Sequence, residues 1–292
     1  MIRVGIAGWS YDDWEGIVYP PRHPTRFDRL GYLAGFFDTI EINSTFYRIP
    51  DPRTAESWAR RVQDRPAFRF TAKLYRGFTH KQGELQGGEE EAFKQAMAPL
   101  AEAGLLGAVL VQFPYSFRAE PESRDALERI IEAFGGLGLV VEIRHGAWNT
   151  EEFREFLRSR GVGFCNIDQP RLARSIGPTE AATSPVGYVR LHGRNAASWF
   201  RKTAEPWERY DYVYEAEELM PWLGRIQRIA EQTADVFVIA NNHFRGKAPL
   251  AALTLLAMLR GEKVAAPPDL VAAYPALAGH ALSGRPAQGR LF

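Results

Sequence analysis

A chain of 292 residues, 46% hydrophobic and 24% charged, fits one α/β barrel or two ordinary domains and can bury a large core unaided by disulfides. Its formal net charge of +1 excludes a strong overall field toward nucleic acid or acidic membrane, so nucleic acid is not an expected partner. The single cysteine, Cys165, excludes an intramolecular disulfide and a cysteine-based zinc site.

The opening Met1-Ile2-Arg3-Val4-Gly5-Ile6-Ala7-Gly8 reads as a strand at once, without the charged and apolar regions of a signal peptide. The longest apolar stretch, Pro249 to Leu259, is short of a membrane span. A cytoplasmic protein without membrane contact is expected.

Short apolar runs rich in β-formers predict strands near 2–7, 39–43, 68–73, 107–113, 138–144, 163–167, 187–192 and 236–241. Amphipathic stretches between them predict helices, among them Pro52–Val62, Glu89–Ala103, Arg124–Phe134 and Glu215–Glu231. Another follows the fifth strand, with Asn149 as its cap, Glu152 at the capping-box position and Gly161 closing it. Eight strands alternating with helices predict a parallel (β/α)8 TIM-type barrel as a single domain over 1–266, with an open doubly wound sheet as the rival. The Pro/Ala/Gly-rich tail 267–292 is expected to be partly packed or loose.

Side chains two apart on a strand share a face. Glu41 and Asn43, Thr71 and Lys73, Glu142 and Arg144, Asn166 and Asp168, and Arg190 and His192 form such pairs late in their strands. The face toward the helices of a barrel should be apolar, so these polar pairs are expected to point inward at the C-terminal mouth, where barrel enzymes carry their sites. Charges buried there cost several kcal/mol each unless paired, so a mutually neutralising ion network is the structural alternative.

Several of these residues fall in longer motifs: Gly8-Trp9-Ser10-Tyr11-Asp12-Asp13-Trp14, Glu41-Ile42-Asn43-Ser44-Thr45-Phe46-Tyr47, Gln112-Phe113-Pro114, Glu142-Ile143-Arg144-His145, Arg190-Leu191-His192-Gly193-Arg194, Tyr210-Asp211-Tyr212 and Asn241-Asn242-His243. Together they resemble the YecE-like family, the domain of unknown function 72, over about residues 2–260. The resemblance implies a TIM-type barrel and carries over no reaction.

At the expected mouth, Glu142 or Asp168 with His192 suit an acid–base pair, and Glu41 adds a third carboxylate. Lys73 suits Schiff-base chemistry if desolvated, although an ion pair with a neighbouring carboxylate explains it more simply. The forks of Arg144, Arg190 and Arg194 suit a carboxylate or phosphate. Trp9, Asn43, Tyr47, Gln112, Asn241, Asn242 and His243 complete the expected substrate contacts. A divalent metal on Glu41, Glu142, Asp168, His192 and His243 is the rival, but local ligand spacing is lacking and the arginines repel a cation, so no cofactor is expected. Barrel glycosidases usually carry their carboxylate pair after strands four and seven, where this chain offers Gln112, Arg190 and His192. The long segment Arg194–Tyr214, with Arg201, Lys202 and Arg209 beside Trp199, Trp207 and Tyr210, suits a functional loop or a nucleic-acid contact, and Phe200 is among the loop aromatics that suit stacking or a lid. The favoured reading is an enzyme acting by acid–base chemistry on a small polar, anionic or phosphorylated metabolite. A non-catalytic ligand sensor and a nucleic-acid-processing barrel are the alternatives, and the oligomeric state is left open.

Overall fold

The β-rich runs form β1 (Ile2–Ala7), β2 (Thr39–Ile42), β3 (Arg69–Lys73), β4 (Leu106–Gln112), β5 (Leu139–Glu142), β6 (Gly163–Asp168), β7 (Val186–Leu191) and β8 (Asp235–Ala240). In the computed structural model, which describes residues 1–80, 87–172, 174–199, 201, 203 and 205–284, all eight pair in parallel and in chain order, and β8 returns to β1. The protein is a TIM-type barrel. Among the described residues no helix is long and apolar enough to cross a membrane.

Five strands end a residue or two earlier than the sequence suggests, because Asn43, Phe113, Arg144, His192 and Asn241 leave the ladder as the chain turns out of the mouth, while β6 runs one residue further, to Asp168. Most crossovers carry helices of the expected span. The helix before β5 begins at Pro121 rather than Arg124, since proline at the first helical position needs no partner for a missing N–H. After β5, Thr150 caps the helix Glu151–Ser159 by accepting from Phe153 N at 3.2 Å, not Asn149. Glu152 then falls one place short of the capping-box position and instead pairs with Arg124 at 2.7 Å. Before β8, the helix Ala216–Ala230 is closed by reciprocal bonds between Glu215 and Glu218.

The β6–β7 crossover departs from the pattern: its described residues form no helix. Asn166 does the work a helix would otherwise do. Its amide nitrogen donates to Ala181 O at 2.9 Å and Tyr188 O at 3.1 Å, and its oxygen accepts from Thr179 Oγ1 at 2.8 Å and Ala181 N at 2.7 Å. An irregular segment brings free backbone groups against the strand, and a polar side chain is needed there to satisfy them.

Strand register decides which side chains face inward. Gly5 lies beside Thr39, Ala7 beside Glu41, Glu41 beside Thr71, and Gln112 beside Glu142, so one face of β1 to β5 is continuous. Cys165 lies beside Tyr188 and Ile167 beside Arg190. Cys165 and Ile167 are therefore the inward residues of β6, and Asn166 and Asp168 face outward, contrary to the sequence expectation. Small residues leave room for large ones at the bottom: a Cβ on Gly107 would stand 2.2 Å from Phe237 Cζ, and the Phe237 ring lies 6.1 Å from that of Tyr188.

The helix Lys247–Arg260, which contains the long apolar stretch, is buried on nearly every side. One side meets β1 and β8. The other is covered by the tail, where Leu270 of the helix Pro268–Ala273 and Leu277 are fully buried. Beyond them β10 (Ala281–Ser283) pairs with β9 (Val264–Ala266). The expected tail thus packs through Gly284, and residues 285–292 lie outside the described residues.

Candidate functional site

Inside the barrel, Arg190 on β7 is the centre of a buried ion network. Its Nη1 donates to Glu142 Oε2 at 2.5 Å and to Gln112 Oε1 at 3.1 Å, and its Nη2 donates to Glu41 Oε1 at 2.7 Å. Tyr188 donates to the other oxygen of Glu41 at 2.9 Å and shares a hydrogen bond with Thr71 at 2.8 Å. Arg144 Nε donates to Glu142 Oε1 at 3.0 Å, and the Arg144 guanidinium carbon lies 5.5 Å from the centre of the Trp199 ring. Two carboxylates and two guanidiniums thereby neutralise one another.

The network fixes protonation states. Burial alone would raise the Glu142 carboxyl, but Arg190, His192 and Arg144 outweigh it and hold the group well below the usual carboxylate range. Burial takes the His192 imidazole down to about 3, only partly opposed by Glu142. The ring is held on both sides: Nδ1 lies 3.0 Å from Asn241 Nδ2, and Nε2 lies 3.2 Å from Glu142 Oε1 and 3.5 Å from Arg144 Nη2. Burial thus works against the cationic imidazole that a general acid would need.

Above the network lies a cavity of about 610 Å³, lined by Gly8, Trp9, Ser10, Tyr11, Asn43, Ser44, Tyr47, Lys73, Trp207, Tyr210, Asn241 and His243. The loops after β1, β2 and β8 supply most of the wall, and β3 supplies Lys73. First and last loops are joined directly: Trp14 Nε1 donates to His243 O at 2.7 Å and Arg245 N donates to Asp13 Oδ2 at 2.5 Å. The Arg245 backbone takes a positive φ of 51°, held also by Tyr274 OH donating to Arg245 O at 2.7 Å. His243 is sandwiched by Tyr11 at 4.5 Å and Tyr210 at 4.8 Å, and burial lowers its imidazole to about 4.

Lys73 is the lysine of this wall, and its amine is held well below the ordinary lysine range. Its side chain is buried, and among the described residues Nζ has no hydrogen bond and no ion pair. It lies 4.0 Å from the centre of the Phe46 ring. Burial drives its pKa down to about 7, Arg190 adds to the shift, and Glu41 and Glu142 offset it only in part. The ion pair expected for Lys73 does not form because both carboxylates are already taken by Arg190, Arg144 and Tyr188.

The expected site residues therefore divide into three groups. Trp9, Asn43, Tyr47, Lys73, Asn241 and His243 line the cavity. Glu41, Gln112, Glu142, Arg144, Arg190 and His192 form the network beneath it. Asp168, Arg194 and Asn242 belong to neither. Asp168 accepts both arms of Arg194 at 2.8 and 2.6 Å and Trp222 Nε1 at 2.6 Å, which fixes the loop after β7 to the helix Ala216–Ala230. Asn242 Nδ2 donates to Tyr212 O at 2.8 Å. The anion fork expected of Arg144, Arg190 and Arg194 is absent from the cavity wall, since all three guanidiniums are engaged by carboxylates.

Ser10 and Ser44 were not among the expected site residues. A serine in a loop has no sequence signal beyond its neighbours in the Gly8–Trp14 and Glu41–Tyr47 motifs. The long segment after β7 does reach the cavity, through Trp207 and Tyr210 of the turn Pro206–Tyr210. Trp207 stacks on Phe244 at 4.3 Å, while Arg201 pairs with Glu208 and Trp199 is buried, so among the described residues no aromatic-and-basic strip forms. Phe200 and Lys202 lie outside the described residues. Among those described, no cluster of three or more His, Cys, Asp and Glu is placed to hold a metal ion.

Comparison with known proteins agrees with this architecture. Over 262 residues the chain is 30% identical to the UPF0759 protein YunF of Bacillus subtilis, covering 85% of this chain and 91% of that one. It superposes on a DUF72 family protein of Thermotoga maritima with a TM-score of 0.79 at 34% identity, covering 89% of this chain and 99% of the other. A DUF72 family protein of Enterococcus faecalis gives a TM-score of 0.77 at 28% identity, over 89% and 96% of the two chains. The model of the family described as protein of unknown function DUF72 matches residues 3–273, and the chain belongs to that family.

Proposed function

We propose that the protein is an enzyme acting on a small polar metabolite in the cavity above Arg190, with Lys73 as the group that exchanges a proton with the substrate or forms a bond to it. The observation that carries this reading is the unpaired, half-neutral amine of Lys73 at the wall of a 610 Å³ cavity. A largely buried lysine without a carboxylate partner is costly for stability, and perturbed groups of this kind concentrate at reactive sites. Acid–base work falls to Lys73 rather than to Glu142 and His192, whose protons are fixed by the network. An anionic group on the substrate would meet one cation, Lys73, and its approach would draw a proton onto the amine.

The rings of Trp9, Tyr11, Tyr47, Trp207 and Tyr210 suit the apolar face of a sugar or a planar ring. Asn43 Oδ1 and His243 Nδ1 are buried and unpartnered, which favours a ligand carrying hydroxyls. A thermal-shift screen against sugars, hydroxy acids, phosphorylated metabolites and nucleotides tests the proposal. A ligand at about a hundred times its dissociation constant adds about 2.7 kcal/mol of stability. The hit should be lost in Lys73→Met and Trp9→Ala, and the wild-type protein should convert it to a product seen by mass spectrometry. A hit bound and returned unchanged would favour the sensor reading, which the ion-paired network beneath the cavity also fits.

A further inference from the structure

We propose that Lys73 is a covalent nucleophile that forms a Schiff base with a polyhydroxylated aldehyde or ketone bound in the aromatic cavity. The inference rests on the functional reading above and narrows its substrate class. Three features of the site favour attack on carbon over simple proton transfer.

The first is access. Nζ stands at the wall of a cavity large enough for a molecule of several carbons, with no neighbour to hydrogen-bond its lone pair. The second is the state of the amine before reaction. Arg190 and Arg144 from within the barrel and His80 beside Phe46 face Lys73 without offering it a negative partner. Glu41 and Glu142 act on it only at a distance, so burial leaves much of the amine neutral near pH 7.

The third is the fate of the charge. Schiff-base formation turns a neutral amine into an iminium cation. That cation would form against the face of Phe46, 4.0 Å from Nζ, and in the field of Glu41 and Glu142. The site accommodates a neutral nitrogen before the reaction and a positive one after it.

The step balances without a further reagent. The Nζ lone pair attacks the carbonyl carbon, the C–N bond forms, and the carbonyl π electrons move to oxygen. A proton passes from nitrogen to that oxygen to give the carbinolamine. The nitrogen lone pair then expels the hydroxyl, which leaves as water with one proton from solvent, and the protonated C=N bond remains. The hydroxyls of Ser10, Ser44 and Tyr11 and the amides of Asn43 and Asn241 line the same cavity and suit a hydroxylated chain.

The test uses the intact protein, glyceraldehyde and sodium cyanoborohydride at pH 7, followed by intact mass and peptide mapping. The chain has six lysines, so the mapping is unambiguous. The expected result is one reduced adduct per chain, on Lys73, formed at least tenfold faster than on any other lysine and absent from Lys73→Arg. Arylation by fluorodinitrobenzene is run in parallel on the wild-type protein, because it reports a neutral, reachable amine without requiring a carbonyl site. Selective arylation of Lys73 with no glyceraldehyde adduct overturns the Schiff base and leaves the broader functional reading standing. Equal reaction of all lysines with both reagents overturns the two together.

Discussion

Arg190 Nη1 and Glu142 Oε2 lie 2.5 Å apart with neither side chain reached by solvent. The same guanidinium holds Glu41 at 2.7 Å, so one residue neutralises carboxylates from β2 and β5 across the barrel. Removing it leaves two buried charges poorly compensated. Arg190→Met should therefore cost about 3–5 kcal/mol in urea denaturation. Adding Glu41→Gln to the same chain should recover part of the loss, because one uncompensated charge is removed; a strictly additive loss would show that the pair is not coupled.

Stability should rise with pH where Lys73 titrates. The folded amine has a pKa of about 7, against an ordinary 10.5, so between these values the unfolded chain holds more protons than the folded one. Unfolding free energy should increase by up to about 1.4 kcal/mol per pH unit between pH 7 and 9. In Lys73→Met that slope should vanish. Parallel urea titrations of the two proteins at several pH values decide the matter.

Acid should act in the same sense, at lower pH, through His192 and Glu142. The imidazole is depressed to about 3 and the carboxyl also lies low, so both contribute stability above their unfolded values and lose it as pH falls through their folded ones. Below about pH 6 the unfolded chain already binds the extra proton on His192. His192→Gln should flatten the stability curve between pH 4 and 6, as followed by circular dichroism.

Asp168 separates structural from chemical roles. Asp168→Asn loses the charge of the Arg194 fork and weakens the bond from Trp222, at a cost of about 1–3 kcal/mol. Glyceraldehyde trapping at Lys73 should be unchanged in this variant. A large loss of trapping without a loss of stability would place Asp168 in the chemistry after all.

Trp207 is 40% exposed and joins the cavity wall to Phe244 by stacking. Trp207→Ala should leave stability within about 1 kcal/mol and weaken any cavity ligand about tenfold. Calorimetric titration of the hit from the thermal-shift screen measures both the affinity and the heat-capacity change.

Much of this was legible in the chain. Eight strands and an inward polar face on β2, β3, β5 and β7 follow from alternation, and Glu41, Lys73, Glu142 and Arg190 lie where that alternation puts them. Strand β6 reads less clearly. In Phe164-Cys165-Asn166-Ile167-Asp168 the inward pair is Cys165 and Ile167, apolar like the Phe164 that faces outward. Only the neighbours' register decides, and the expectation that the outer face is apolar fails where the crossover has no helix. Likewise a sequence displays arginines but not their partners. That Arg144, Arg190 and Arg194 are occupied by Glu142, Glu41 and Asp168, leaving Lys73 unpaired, depends on side chains from five strands meeting at once.

The cavity wall is shared by Trp9 and Tyr11, which follow β1, and by Asn241 and His243, which follow β8. During synthesis the two halves of that wall are separated by more than two hundred residues. Lys73 is made early, yet its surroundings are complete only when β8 emerges and Trp14 meets the His243 carbonyl. No shorter nascent chain can hold the finished cavity, so a reactive amine is not enclosed with a captive carbonyl compound until the barrel has closed around it.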